Sequence, residues 1–407
     1  MLHTSIARRH AVALGAAALL CALATGCRRT DFPQYASSYR EYAYVSNGAS
    51  NTVTVLDLIN RRQDRVVAVG QQPTGLAANP VTNEIYAVNT QPSIGDGSVS
   101  VIDATTNRVA AVIPVRRLPY FIDVDADGKR AYVANSGSNN VSVLDLKKRR
   151  EIAVIGAGEQ PGLARIAQDM RSLVVTNRGS GSISIFAVDN TSDEKPLHLR
   201  ATFAGCTGAT DAVILPDSSK AFIACTGANK LMVISLAAAP DSWAAKQDAG
   251  SLTDHLLTLL DVGKTPVHIA LKPDTGEVFV SNFDSNSISE VSTWTNEVSG
   301  TYTIGAHPVF GVVSADNSTL WVSNFGADTV SAYSIDDGKL VNVIHVGSGP
   351  DALAFSVEGH LLLAADAKSG DISVVRTQER LGPALFDMWP SGGQPNGIVV
   401  KAFDVKK

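Results

Sequence analysis

The sequence predicts an all-β fold: a single β-propeller of four-stranded blades. Three observations predict it. A unit of four short strands is copied along most of the 407 residues. The copies recur about every 45 residues, a period typical of propeller blades. The first and last copies are incomplete, and each holds the strand the other lacks.

The unit is clearest in residues 119–154. PYFIDV reads as its first strand, and Asp127-Gly128 makes a tight turn because glycine accepts a positive φ. RAYVAN is the second strand, SGSNN a polar turn and VSVLDL the third strand. KKRR is a charged turn before a fourth strand, EIAV. Alternation and β-branched residues mark all four as strands.

The second strand recurs at Tyr44, Tyr86, Tyr132, Val174, Phe222, Phe279, Trp321 and Leu362. A third strand follows each, and the one long gap, between Phe222 and Phe279, carries an insertion. The first strand begins at Pro73, Pro119, Pro161, Ala209, Pro266, Pro308, Pro350 and Pro395. These starts predict eight blades; seven would require a degenerate copy, and none is weak enough to discard. The Tyr44 copy has no first strand before it, and the Pro395 copy has no second strand after it. The C-terminal strand is therefore expected to enter the first blade and close the ring, leaving no open sheet edge at the junction.

The pattern Tyr132-Val133-Ala134-Asn135, followed by Asn139 to Asp145 (NNVSVLD), resembles the YVTN repeat of bacterial and archaeal surface-layer-type and YncE-like propellers. The resemblance covers residues 41–401. It implies the fold, with repeat residues that are mostly structural, and leaves the activity open. Two copies depart from the repeat asparagine, at Cys225 and at Ala365. The other recurrent asparagines are expected to serve turns and left-handed backbone.

Residues 1–27 read as an export signal. Arg8 and Arg9 precede the apolar run AVALGAAALLCALA, which is short for a bilayer span. Ala24-Thr25-Gly26-Cys27 then resembles a bacterial lipobox, with Leu23 one place before the usual position. The resemblance implies that Cys27 is lipidated and becomes the mature N-terminus; an ordinary cleaved signal is the alternative. Residues 28–40 are polar and read as a tether, with Arg28 and Arg29 solvated or against headgroups. The expected location is the periplasm or cell envelope, membrane-anchored by lipid. Residues 41–407 form the propeller. A net charge of −5 argues against a general nucleic-acid binder.

Cys21 lies in the signal, which leaves Cys206 and Cys225, both in the fifth unit. Export permits a disulfide between them, with Cys206 curling back from just before the first strand; two buried free thiols are the alternative. Residues 237–255 interrupt the same unit between its third and fourth strands. They read as a surface excursion or as a flap at the rim of the ring.

First strands line a propeller's channel, so candidate ligand-binding residues are sought there. Counted from the leading residue, positions +3 and +5 are apolar and predict packing between blades. Positions +2 and +4 carry Phe121, Asp123, Leu163, Arg165, Asp211, His268 and Phe310 among small residues. Asp123 and Arg165 share +4 in neighbouring blades, as an ion pair or a ligand clamp. Asp211 and His268 share +2, where a carboxylate could orient an imidazole. His307, Tyr120 and Asp351 are expected at the mouth. Asp123, Asp125 and Asp127 open like a calcium loop, but Ala131 and Ala134 stand where such loops need acidic ligands. No metal site is assigned.

No CxxCH, P-loop, GxSxG or HExxH is present, and no cofactor is assigned. The reading is a monomeric module that binds a protein, peptide or glycan. One alternative resembles cytochrome d1-type propellers, with His268 and His307 as candidate ligands to a non-covalent cofactor. The other resembles lactonase-type propellers, with Asp211 and His268 as the acid–base pair.

Overall fold

The computed structural model describes residues 33–92, 95–378 and 382–405. Cys27, the apolar run before it, Arg28 and Arg29 lie outside the described residues, as do Ser93 and Ile94. Among the described residues, no helix is long and apolar enough to cross a membrane.

From Arg40 onward the described residues form one compact unit of eight four-stranded antiparallel sheets. Blade 1 contains β1 (Tyr39–Asn47), β2 (Thr52–Asp57) and β3 (Arg62–Ala68). The C-terminal strand, β32 (Pro395–Asp404), pairs with β1 and supplies the fourth strand, in the order β3-β2-β1-β32. Chain end and chain start thus share one sheet, and the ring closes. Blades 2 to 8 are built consecutively from residues 73–114, 119–156, 161–204, 209–261, 266–303, 308–345 and 350–390. Each first strand lies against the first strand of the next blade, round to β32 beside Pro73–Ala78.

The core is a set of layers between blades. Tyr86, Val88, Val99 and Val101 of blade 2 pack on Ile122, Ala131 and Val133 of blade 3. Similar layers recur round the ring, and the repeat tyrosines Tyr44, Tyr86 and Tyr132 are fully buried. The +3 residues Ile122, Ala164, Ala212, Ile269 and Leu353 are buried too, whereas the +5 residues are half-buried at the edges of these layers.

The repeat asparagine ends the second strand, and its work differs from the turn role expected of it. Asn89 Nδ2 donates to Ser98 Oγ and Ser100 Oγ, both at 3.0 Å. Asn47, Asn135, Asn177, Asn282 and Asn324 repeat this two-acceptor pattern on the third strand of their blades. The left-handed backbone belongs to other asparagines, such as Asn51, Asn139, Asn229 and Asn286. In blade 8 the pairing of Pro350 with Asp366 puts Asp366, not Ala365, at the asparagine position. Leu361 to Ala365 offer no polar landmark, so an apolar pattern alone slips by one residue there.

Candidate functional site

Each first strand runs from a mouth face to a far face. The mouth face carries the turns that enter the first strands and those between second and third strands. The far face carries the other two sets. In blades 2 to 7 the register shifts between the leading residue and position +2. This bulge lets +1 and +2 both reach the channel. Thr74, Tyr120, Thr210 and Val267 therefore line it beside Phe121, Asp211 and His268, and Asn396 of blade 1 lines it too. Of these +1 residues the sequence reading places only Tyr120 at the mouth; strict alternation passes over Thr74, Thr210, Val267 and Asn396.

The mouth side of the channel holds a cavity of about 450 Å³, and the far side one of about 480 Å³. Asp123 and Arg165 line both, with Ala78 and Val124, so they stand where the two cavities meet. The polar wall belongs to blades 3 to 6. The facing wall is small and uncharged, with Gly75, Ala77, Ala352, Gly397 and Val399 beside Thr74 and Asn396.

Inner strands do not pair with one another, so side chains satisfy their exposed amides. Asp123 Oδ2 accepts the N–H of Ile166 in the next blade at 3.1 Å, and Oδ1 accepts from Val124 at 3.1 Å. Asp211 accepts from Ala212 at 2.8 Å and, across the blade boundary, from Ile269 at 2.9 Å. His268 Nδ1 accepts from Gly311 N–H of the next blade at 3.2 Å. The two carboxylates and the imidazole thus tie blades 3–4, 5–6 and 6–7.

Arg165 is different. Its guanidinium stacks over the Phe121 ring, 4.3 Å from the centroid, and Nη2 stands 3.9 Å from Asp211 Oδ1. Among the described residues, its N–H donors make no hydrogen bond. The guanidinium faces Asp211 rather than forming a direct pair with Asp123, whose oxygens are held by the two backbone amides. His268 Nε2 lies 3.8 Å from Asp211 Oδ2, and its ring leans on Phe310 at 3.8 Å. Burial lowers the His268 pKa against the opposing pull of Asp211, so the ring is held neutral. With Nδ1 accepting, its proton sits on Nε2. Burial raises the Asp123 pKa, against the opposing influence of Arg165.

The remaining candidates lie apart from this row. Tyr120 reaches the mouth and carries the Arg178 guanidinium 4.4 Å above its ring. His307 is exposed, stacks on Phe283 at 4.4 Å and lines neither cavity. Asp351 also lines neither cavity; burial pushes its pKa up to about 6. Asp125 and Asp127 serve their own turn, and both accept from the Lys129 amide. Asp125 accepts from the amides of Lys129 and Arg130, and Asp127 pairs with Lys129. Among the described residues, no group of three potential ligands is placed to hold a metal.

Cys206 and Cys225 are joined in a disulfide, with Cα atoms 4.7 Å apart. Both are fully buried in blade 5, away from the channel lining.

A model of the YncE-like β-propeller family matches residues 131–406. The chain belongs to that family. No curated protein matches the sequence. Among solved structures, dihydro-haem d1 dehydrogenase NirN is similar at 16% identity, with 91% of this chain and 77% of that chain covered and a TM-score of 0.69. The periplasmic gluconolactonase PpgL of Pseudomonas aeruginosa is 17% identical over 89% of this chain and 98% of that one, with a TM-score of 0.59. A putative 6-phosphogluconolactonase from Bacteroides uniformis is 16% identical over 90% and 100%, also at 0.59. These three likenesses are to the fold. This YncE-like propeller shares their architecture, and its chemistry rests on its own channel.

Proposed function

We propose that this is an exported, lipid-anchored binding propeller that takes a protein segment, peptide or glycan into the mouth of its channel. The observation that carries the reading is Arg165. Its donors project from a wall whose carboxylates already accept backbone amides, so the channel offers donors to an acceptor-bearing ligand. Phe121 and Phe310 give that ligand apolar ring surface beside the donors.

The same geometry weighs against the two alternatives. A general base needs a free lone pair, and His268 has Nδ1 engaged by Gly311 and Nε2 protonated. An iron ligand through Nε2 would move the proton to Nδ1, where it would meet the Gly311 N–H head-on. The channel residues therefore do not fit a histidine-ligated haem, and His307 stands outside the channel lining.

The test is a thermal-shift screen of the purified protein against peptides and oligosaccharides. A channel ligand raises the Tm of the wild type and fails to raise that of R165A. It still stabilises K147A, which alters an exposed outer turn. A ligand that stabilises R165A as well as the wild type overturns the channel reading.

A further inference from the structure

We propose that the far face of the propeller rests on the bilayer surface, with Trp243 and Trp294 in the headgroup region and the channel mouth turned away. The inference rests on lipid attachment at Cys27 and does not depend on what the channel binds.

The two faces expose different side chains. Outside the outermost strands, the exposed large apolar residues gather on the far face. Val81 and Val357 tip turns between first and second strands, at 64% and 59% exposure. Trp243, Leu252 and Trp294 lie between third and fourth strands, and the two tryptophans are 76% and 79% exposed. The mouth face shows only Tyr120 among the described residues, and Arg178 covers that ring.

Both tryptophans sit on fixed supports. Lys220 Nζ of blade 5 donates to Thr293 O at 2.6 Å and to Asn296 Oδ1 at 3.0 Å, pinning the turn that carries Trp294. Trp243 rides on the insertion in blade 5. There Arg200 grips the buried carboxylate of Asp254 with two donors, and that carboxylate also accepts from Ala237 N–H at 2.9 Å. Among the described residues, no ring contact or hydrogen bond is made by either indole, and both rings are held outward into solvent. Their amphipathic shape suits the membrane–water interface.

The chain also enters on this face. Leu58 N–H, in the turn after β2, donates to Glu41 O at 3.0 Å. Val357 N–H, in a far-face turn of blade 8, donates to Glu41 Oε1 at 2.7 Å. Between Cys27 and β1 lie residues 28–38, which span about 40 Å when fully extended. A lipid at Cys27 thus keeps the far side of the ring within reach of the bilayer.

Charge does not supply the attraction. The chain is net negative, Asp217, Asp274 and Asp316 on this face cap their own turns, and in the basic turn of blade 3 Lys148 is paired with Asp145 and Asp193 and Arg149 with Glu84. The contact is one of apolar burial, suited to zwitterionic headgroups and insensitive to salt.

The experiment uses the full chain isolated from cell membranes and reconstituted into phosphatidylcholine vesicles with plain or brominated acyl chains. Trp321 and Trp389, 3% and 5% exposed, serve as the buried reference. Brominated chains are expected to lower wild-type tryptophan emission about 1.5-fold, at low salt and in 0.5 M salt alike, and to leave W243F/W294F unchanged. Equal emission from both vesicle types, or quenching that persists in W243F/W294F, overturns the orientation. So does quenching that salt abolishes. Mass spectrometry of the same sample reads Cys27. An unacylated Cys27 removes the tether and overturns the proposal, while the ligand test on R165A stands unaffected.

Discussion

In blade 5, Cys206 is bonded to Cys225 at the place where blade 2 presses Gly70 against Asn89. A Cβ on Gly70 would come within 2.7 Å of Asn89 Cβ, and Gly158, Gly263 and Gly305 meet Asn177, Asn282 and Asn324 just as closely. The cysteine pair substitutes a covalent bond for this glycine–asparagine contact. It is also the place where the hydrogen-bond pattern of the repeat asparagine is missing. The bond encloses a separation of 19 residues, so its loss is expected to cost about 3 kcal/mol. C206S/C225S is therefore expected to be markedly less stable to guanidinium. C206G/C225N, which rebuilds the contact of the other blades, is expected to recover part of the loss. Equal stability of all three proteins would show that the bond adds nothing to the packing.

The asparagine network itself is open to test in blade 6. Asn282 Nδ2 donates to Ser287 Oγ and Ser289 Oγ at 3.3 and 3.0 Å, all within the buried interior. N282A leaves both hydroxyls without that donor and opens space above Gly263. The expected loss is about 1–3 kcal/mol in chemical denaturation. A change below about 0.5 kcal/mol would mean that water or a rearranged serine replaces the amide.

These positions show how far the fold was legible. Eight blade starts and two complementary fragments were enough to place Pro395–Asp404 in the first blade, because strand pairing at the closure follows from what each end lacks. The channel wall was legible in part, since the +2 and +4 offsets find Asp123, Arg165, Asp211 and His268. Their partners were not. Asp123 and Asp211 bind amides of the next blade, and no periodicity reports which backbone N–H lies across a blade boundary. The +1 residues other than Tyr120 were hidden by a bulge, and Asp366 by a stretch of leucine and alanine without landmarks.

The insertion in blade 5 is anchored to blade 4 by an ion pair, beside a hydrogen bond from Arg171 Nη2 to Ala238 O at 3.2 Å. Arg200 reaches the buried Asp254 with Nε and Nη2, and Nη2 also donates to Ser172 Oγ at 2.8 Å. R200A leaves the Asp254 carboxylate buried without its cation. The expected cost is about 3–5 kcal/mol, with early proteolytic nicking within residues 237–254. R200A/D254N removes the stranded charge and is expected to restore much of the stability. Nicking at the wild-type rate in R200A would show that the insertion is held by other contacts.

Asp366 gives the pH dependence of blade 8. It is fully buried at the asparagine position, and Ser373 donates to its Oδ2 from both N–H and Oγ. Burial, with the Asp371 carboxylate beside it, pushes its pKa up to about 8. The protonated acid mimics the amide of the other blades, so the native state holds a proton that the unfolded chain releases near pH 4. Its stabilising contribution is complete below pH 4 and is lost as pH rises through 8. Asp125 and Asp351, each raised to about 6, add the same trend at lower pH, so the interval from pH 7 to 8 isolates Asp366. D366N keeps a neutral side chain at every pH. The stability gap in its favour is expected to widen by about 1 kcal/mol between pH 7 and pH 8. Parallel stability curves over that interval would show that Asp366 is already ionised at pH 7, and that the blade tolerates the charge.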